Sequence, residues 1–191
     1  MFEQYFIKIY QQFKKIVLRA AAKEIITQDP FKLFSGKKTK AKKKPLTKAE
    51  LQRIKDKVFL SNRLIVVRAI FVFQCYTGLS YIYAFQLKWN DIKEADDGCM
   101  WIMSNRQKSK SGTDIPLFPK AREIIAKYSD DLNCIKRGTV LPGRSNQKRN
   151  EYLKEIADLC EISETLNKHK ARRTFPNTIT LNNGVSIHVV K

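Results

Sequence analysis

The sequence predicts a mainly α-helical protein with one small antiparallel β-sheet, an α+β fold. Three observations predict it. Apolar side chains recur at helical spacing through most of the 191 residues. That period gives way to short extended runs between Trp101 and Leu117. A lysine-rich, acid-free stretch at 35–45 sets an N-terminal helix apart from the rest.

The elements follow in order. Phe2, Phe6, Ile9, Tyr10, Phe13, Ile16, Val17, Ala20 and Ala21 mark one helical face within 2–26, and Asp29-Pro30 is expected to stop that helix. Six lysines in SGKKTKAKKKP make 35–45 a solvated, extended segment. Thr47 with Glu50 three residues on is a capping box, so a helix should run to about Lys57. A second helix, from about Arg63 to Tyr76, is apolar on most sides and therefore buried. Thr77-Gly78-Leu79 breaks it, and a short helix follows from Tyr81 to Leu87. Trp101–Ser104 and Thr113–Leu117 read as strands, joined across a polar, basic hairpin at 105–112. Pro119 opens a helix with Ile124, Ile125 and Tyr128 on one face. Another helix follows Ser145-Asn146-Gln147, with Tyr152, Leu153, Ile156, Leu159 and Cys160 inward, and a last one starts near His169. The expected domain plan is a helical remnant at 1–34, a basic linker at 35–45 and a larger domain at 46–191.

Charge points to the partner. Lys and Arg number 37 against 18 Asp and Glu, a net charge of +19 and a pI near 9.9. A field of that sign attracts polyanions, nucleic acid before an anionic membrane. Apolar residues make up 43%, with 11 Phe and 7 Tyr, which excludes a disordered chain. The four cysteines form no CxxC, and the two histidines complete no zinc spacing, so no metal or cofactor is expected. The most apolar run, Leu64–Tyr76, is too short to span a bilayer and contains Arg68 and Gln74, and the mix of charge and aromatics at the N-terminus leads us to expect no cleavable leader. A cytoplasmic location is the expectation. Within the linker, Lys42, Lys43 and Lys44 suit either a plain spacer or a strap along a phosphate backbone.

Several phrases in this order resemble one family. They are Lys44-Pro45-Leu46-Thr47, FVFQCYTGLSY at 71–81, the strand pair closing on Ile115-Pro116-Leu117, SNQKRNEYLKEIADLC at 145–160 and HKARRTF at 169–175. From about Pro45 the chain resembles the catalytic domain of the tyrosine recombinases, the phage-integrase family, and most closely the integrases of Bacteroides-type mobile elements. Residues 1–34 resemble the last helices of their core-binding domain. The resemblance implies transesterification at a DNA phosphodiester: a tyrosine attacks phosphorus, cationic side chains hold the nonbridging oxygens, and a hairpin lysine protonates the leaving oxygen. His169 and Arg172 match the family's HxxR, a spacing that puts both on one helix face. Lys108 stands where the hairpin lysine is expected, with Lys110 as its competitor in register. Lys148, Arg149 and Lys154 lie on the helix expected to face DNA, Arg144, Asn146 and Gln147 lie at its start, and Arg173 follows the HxxR.

The departures from the family pattern are specific. Ser80 stands where the first arginine is expected, and serine offers no charged bidentate clamp. Tyr83 replaces an acid, and Arg173 replaces a histidine. Pro176 falls inside the expected helix, where it should break or kink it at a cost of about 3 kcal/mol. The seven tyrosines all precede His169, and the sequence reaches Lys191 without the family's leucine-glycine-histidine turn or its nucleophilic tyrosine. The expectation is a DNA-binding recombinase fragment unable to cleave alone. Two alternatives stand beside it: a basic, nonspecific nucleic-acid-binding or regulatory protein, and a recombinase completed by a tyrosine supplied in trans. Expected partners are double-stranded DNA and other recombinase protomers, with no membrane and no small-molecule substrate.

Overall fold

A computed structural model describes residues 2–28, 30–32, 44–96, 98–105, 112–143 and 146–180, with the side chains of 2–8, 104–105, 112–113 and 146 left out. It divides into two units, Met1–Lys42 and Lys43–Lys191. In the first, helix α1 spans Phe2–Ala22. It stops short of the expected Asp29-Pro30 boundary. The amide of Ile25 donates to the Ala20 carbonyl and that of Glu24 to the Ala21 carbonyl, both at 3.0 Å. This closure puts Glu24 at a left-handed φ of 58° and ends the helix without proline. Phe31 then packs edge-on against Tyr10 and Phe13.

The second unit opens with the capping box expected at Thr47. Its hydroxyl accepts from the Glu50 amide at 3.2 Å, and the Glu50 carboxylate accepts from the Thr47 amide at 2.8 Å. Helix α2 (Lys48–Asp56) buries Leu51 and Ile54. Helix α3 (Asn62–Thr77) is buried on nearly all sides and touches α2 and most later helices. It ends at Gly78, φ 66°, where an added Cβ would lie 2.7 Å from the Phe175 ring. Helix α4 (Tyr81–Gln86) follows at once.

The sheet has three strands, one more than the sequence suggests. β1 (Ile92–Glu94) pairs antiparallel with β2 (Met100–Asn105), which pairs with β3 (Gly112–Pro116). Ile102 faces Ile115 across the ladder, and both are buried. β1 escapes the sequence reading because Ile-Lys-Glu is too short to show alternation. Helix α5 (Pro119–Lys127) has its proline at the first turn, as expected. Helix α6 (Leu132–Arg137) was not expected from the sequence. Asp131 caps it, accepting from Asn133 and Cys134, and Gly138 closes it at φ 61°. Helix α7 (Asn146–Leu159) and helix α8 (Lys168–Thr174) complete the set. Pro176 acts as predicted but more gently than a break. It has no amide for the Arg172 carbonyl, and the α ladder gives way to a π-helical turn at Phe175–Thr180.

Two threonines past the HxxR tie the start of the unit to its end. The Leu46 amide donates to Thr174 Oγ1 at 3.1 Å, and the Thr178 hydroxyl donates to the Leu46 carbonyl. Leu46 itself is fully buried. The chain just after Lys44 is thereby held against α8.

Candidate nucleic-acid interface

Helix α8 builds the centre of the site. Asn167 caps it, its side chain accepting from the amides of His169 at 3.0 Å and Lys170 at 2.9 Å. With the first turn fixed, the helix sorts its side chains. Lys170, Ala171 and Thr174 turn into the core, while His169 and Arg172, three apart, are both exposed. The ammonium of Lys170 meets the Glu164 carboxylate, and that contact holds Glu164 below the usual carboxylate range. A cleft of about 360 Å³ lies alongside, lined by Lys44, Glu164, Asn167, His169, Lys170 and Arg173 among others. The structure thus gathers Lys44, from the basic linker, with His169 and Arg173, from the HxxR stretch, around one cationic hollow. Arg172 is exposed one turn beyond His169 and does not line it.

On α7, Gln147, Lys148 and Lys154 are exposed, and Asn146 opens the helix. Arg149, expected among the DNA contacts of this helix, is buried rather than on its surface. It is 0% exposed, the largest fully buried side chain described. Its Nη1 donates to Gln74 Oε1 at 2.9 Å, and its guanidinium carbon lies 4.1 Å from the Tyr81 ring centroid. Gln74 in turn donates to the Leu79 carbonyl at 3.0 Å. Burial lowers the Arg149 pKa to about 10, so the group is still a cation near neutral pH. The sequence does carry a signal for this. Arg149 precedes Leu153, Ile156 and Cys160 on the inward stripe of α7, at offsets that share one helix face. A stripe read for charge alone hides it.

Ser80 is half-buried before α4, and its side chain makes no capping bond. Lys42, Lys43, Lys108 and Arg144, with the competitor Lys110, lie outside the described residues. Among the described residues no three His, Cys, Asp or Glu side chains gather as a metal site, and no helix is long and apolar enough to cross a membrane.

The family model of the phage integrases matches residues 44–191, and the chain belongs to that family. No curated protein matches it in sequence. Among solved structures it is similar to a lambda integrase tetramer bound to a Holliday junction, with TM-score 0.66, 15% identity, and coverage of 93% of this chain and 54% of that one. It is also similar to the Tn1549 transposon integrase in complex with circular-intermediate DNA, with TM-score 0.60, 15% identity, and coverage of 98% and 69%. The XerH site-specific recombinase bound to difH gives TM-score 0.55, 18% identity, and coverage of 69% and 41%. At these identities the likeness is one of fold, that of a tyrosine-recombinase catalytic domain. The chain spans 41% to 53% of the XerH and XerA recombinases it resembles.

Proposed function

We propose that this chain is the DNA-engaging part of a site-specific tyrosine recombinase, with His169 and Arg172 directed at a backbone phosphate. The single observation that carries this is the solvent-facing pair on α8, placed beside a cleft that also holds Lys44 and Arg173. A phosphodiester has two nonbridging oxygens that carry the charge. An arginine fork binds such a pair with two parallel hydrogen bonds, and an imidazole adds a third donor. Those contacts strengthen as charge builds on the oxygens during attack at phosphorus. Lys108 is assigned the role of acid to the leaving oxygen, with Lys110 as the alternative. Gln147, Lys148 and Lys154 add exposed polar and cationic contacts that position the duplex without reading it.

No tyrosine of these 191 residues follows His169. In this reading the chain holds the phosphate, and a nucleophile from outside these residues attacks it, on the same polypeptide or on another protomer. The lambda integrase structure it resembles is a tetramer on a junction, an arrangement that permits the second route. A second reading, nonspecific nucleic-acid binding, is favoured by the net charge of +19.

Selection from a random duplex pool separates the two. A recombinase reader is expected to enrich a recurring site and to bind it roughly a thousandfold or more tighter than random duplex at matched salt. Equal affinity for every duplex would contradict site-specific reading and favour the nonspecific one.

A further inference from the structure

Arg149 is a buried cation with one side of its guanidinium in use. Nη1 is tied to Gln74, and the flat face is stacked on Tyr81. Nε and Nη2 have no hydrogen-bond partner among the described residues. Those two nitrogens form the side edge of the guanidinium, the fork that takes two oxygens of one oxyanion. None of the ion pairs of the described residues includes Arg149. A purely structural arginine would be expected to spend that edge on carbonyls or on a carboxylate, because an unpaired buried cation costs stability.

Its location gives the edge a use. Tyr81 follows directly on Ser80, where an arginine would be expected to face the phosphate. Gln74, which holds Arg149, and Leu79, whose carbonyl accepts from Gln74, flank the turn at the end of α3. Gly78 of that turn packs under Phe175, three residues after Arg172. The α3 end therefore joins the Arg149 pocket to the helix that carries His169 and Arg172. Tyr81, the ring stacked on Arg149, is itself only half-buried.

We propose that the Nε–Nη2 edge of Arg149 binds a backbone phosphate of DNA, supplying from α7 the cation that the Ser80 position lacks. The inference rests on the recombinase reading given above. It makes Arg149 a phosphate ligand that works with His169 and Arg172. Gln74 is its positioning residue, and Tyr81 is the ring that holds the guanidinium plane.

The wild-type chain tests this directly. The Arg149 Nε–H signal, assigned by its loss in Arg149→Lys, is expected to shift when duplex DNA is added to saturation. An unmoved signal in a chain that binds DNA would overturn the proposal while leaving DNA binding intact. No duplex binding at low salt would instead sink the recombinase reading and this inference with it. A variant set gives a second readout. Arg149→Met is expected to weaken duplex binding roughly tenfold and to flatten the slope of log affinity against log salt by about 0.9, one lost phosphate contact. The double variant Ser80→Arg/Arg149→Met is expected to restore both. A merely structural Arg149 would lower the melting temperature, leave the slope unchanged and show no rescue, which would overturn the proposal.

Discussion

Lys170 sits between His169 and Arg172 in the sequence yet is buried where they are exposed. It is 4% exposed, with its ammonium on Glu164. The pair ties α8 to the segment before it, beside the cleft that His169 lines. Glu164 is held below the ordinary carboxylate range first by its hydrogen bond from Lys170, then by that charge. A depressed carboxylate pKa contributes stability that is full above the ordinary carboxylate value and is lost as pH falls through the folded value. Urea titrations of Glu164→Gln are therefore expected to lose less stability than wild type from about pH 5 downward. Equal acid sensitivity would show that the contact contributes nothing. Arg149 makes the complementary case. Its desolvation is uncompensated by any described anion, so Arg149→Met is expected to leave thermal stability unchanged or raise it by up to about 1 kcal/mol. Stability gained at the expense of DNA affinity is the signature of a residue kept for binding.

At the scale of elements, the turn between α3 and α4 carries the most consequence. Gly78 combines φ 66° with an approach that puts an added Cβ 2.7 Å from the Phe175 ring. Gly78→Ala is expected to cost about 2 kcal/mol or more from backbone strain and displacement of Phe175, read as a lower denaturation midpoint. Thr174→Val leaves the buried Leu46 amide without its acceptor and is expected to cost about 1–3 kcal/mol. A loss as small as that of an exposed threonine would show that Leu46 finds another partner. Elements with a local chemical signature were legible in the sequence: the Thr47–Glu50 capping box, the mostly apolar α3, and Pro119 at the start of α5. Elements stabilised by their surroundings were not. β1 exists because β2 offers it a ladder partner. Helix α6 is six residues long, too short for a periodic signal, although Asp131 and Gly138 mark both its ends. The end of α1 rests on Glu24 in a conformation usually left to glycine, which composition does not announce.

At the scale of the whole molecule, charge and the order of the motifs along the chain point to the partner and to the family. The net +19 indicates a polyanion, and the phrases from Lys44 to Phe175 fall within the matched phage-integrase span. The candidate site was legible where spacing decides it. His169 and Arg172, three apart, share the exposed face of α8. It was not legible where three-dimensional packing decides it. Lys44 reaches the His169 cleft because Thr174 and Thr178 hold Leu46, a link across more than 120 residues. Arg149 reads as one more surface cation until Gln74 and Tyr81 close around it. The salt dependence of duplex affinity, measured between about 50 and 200 mM for wild type and for His169→Ala/Arg172→Ala, tests the phosphate clamp most directly. A steep log–log line for the wild type is expected, with the variant flatter by about 0.9 or more. A flat wild-type line, or the same slope in both proteins, would contradict it.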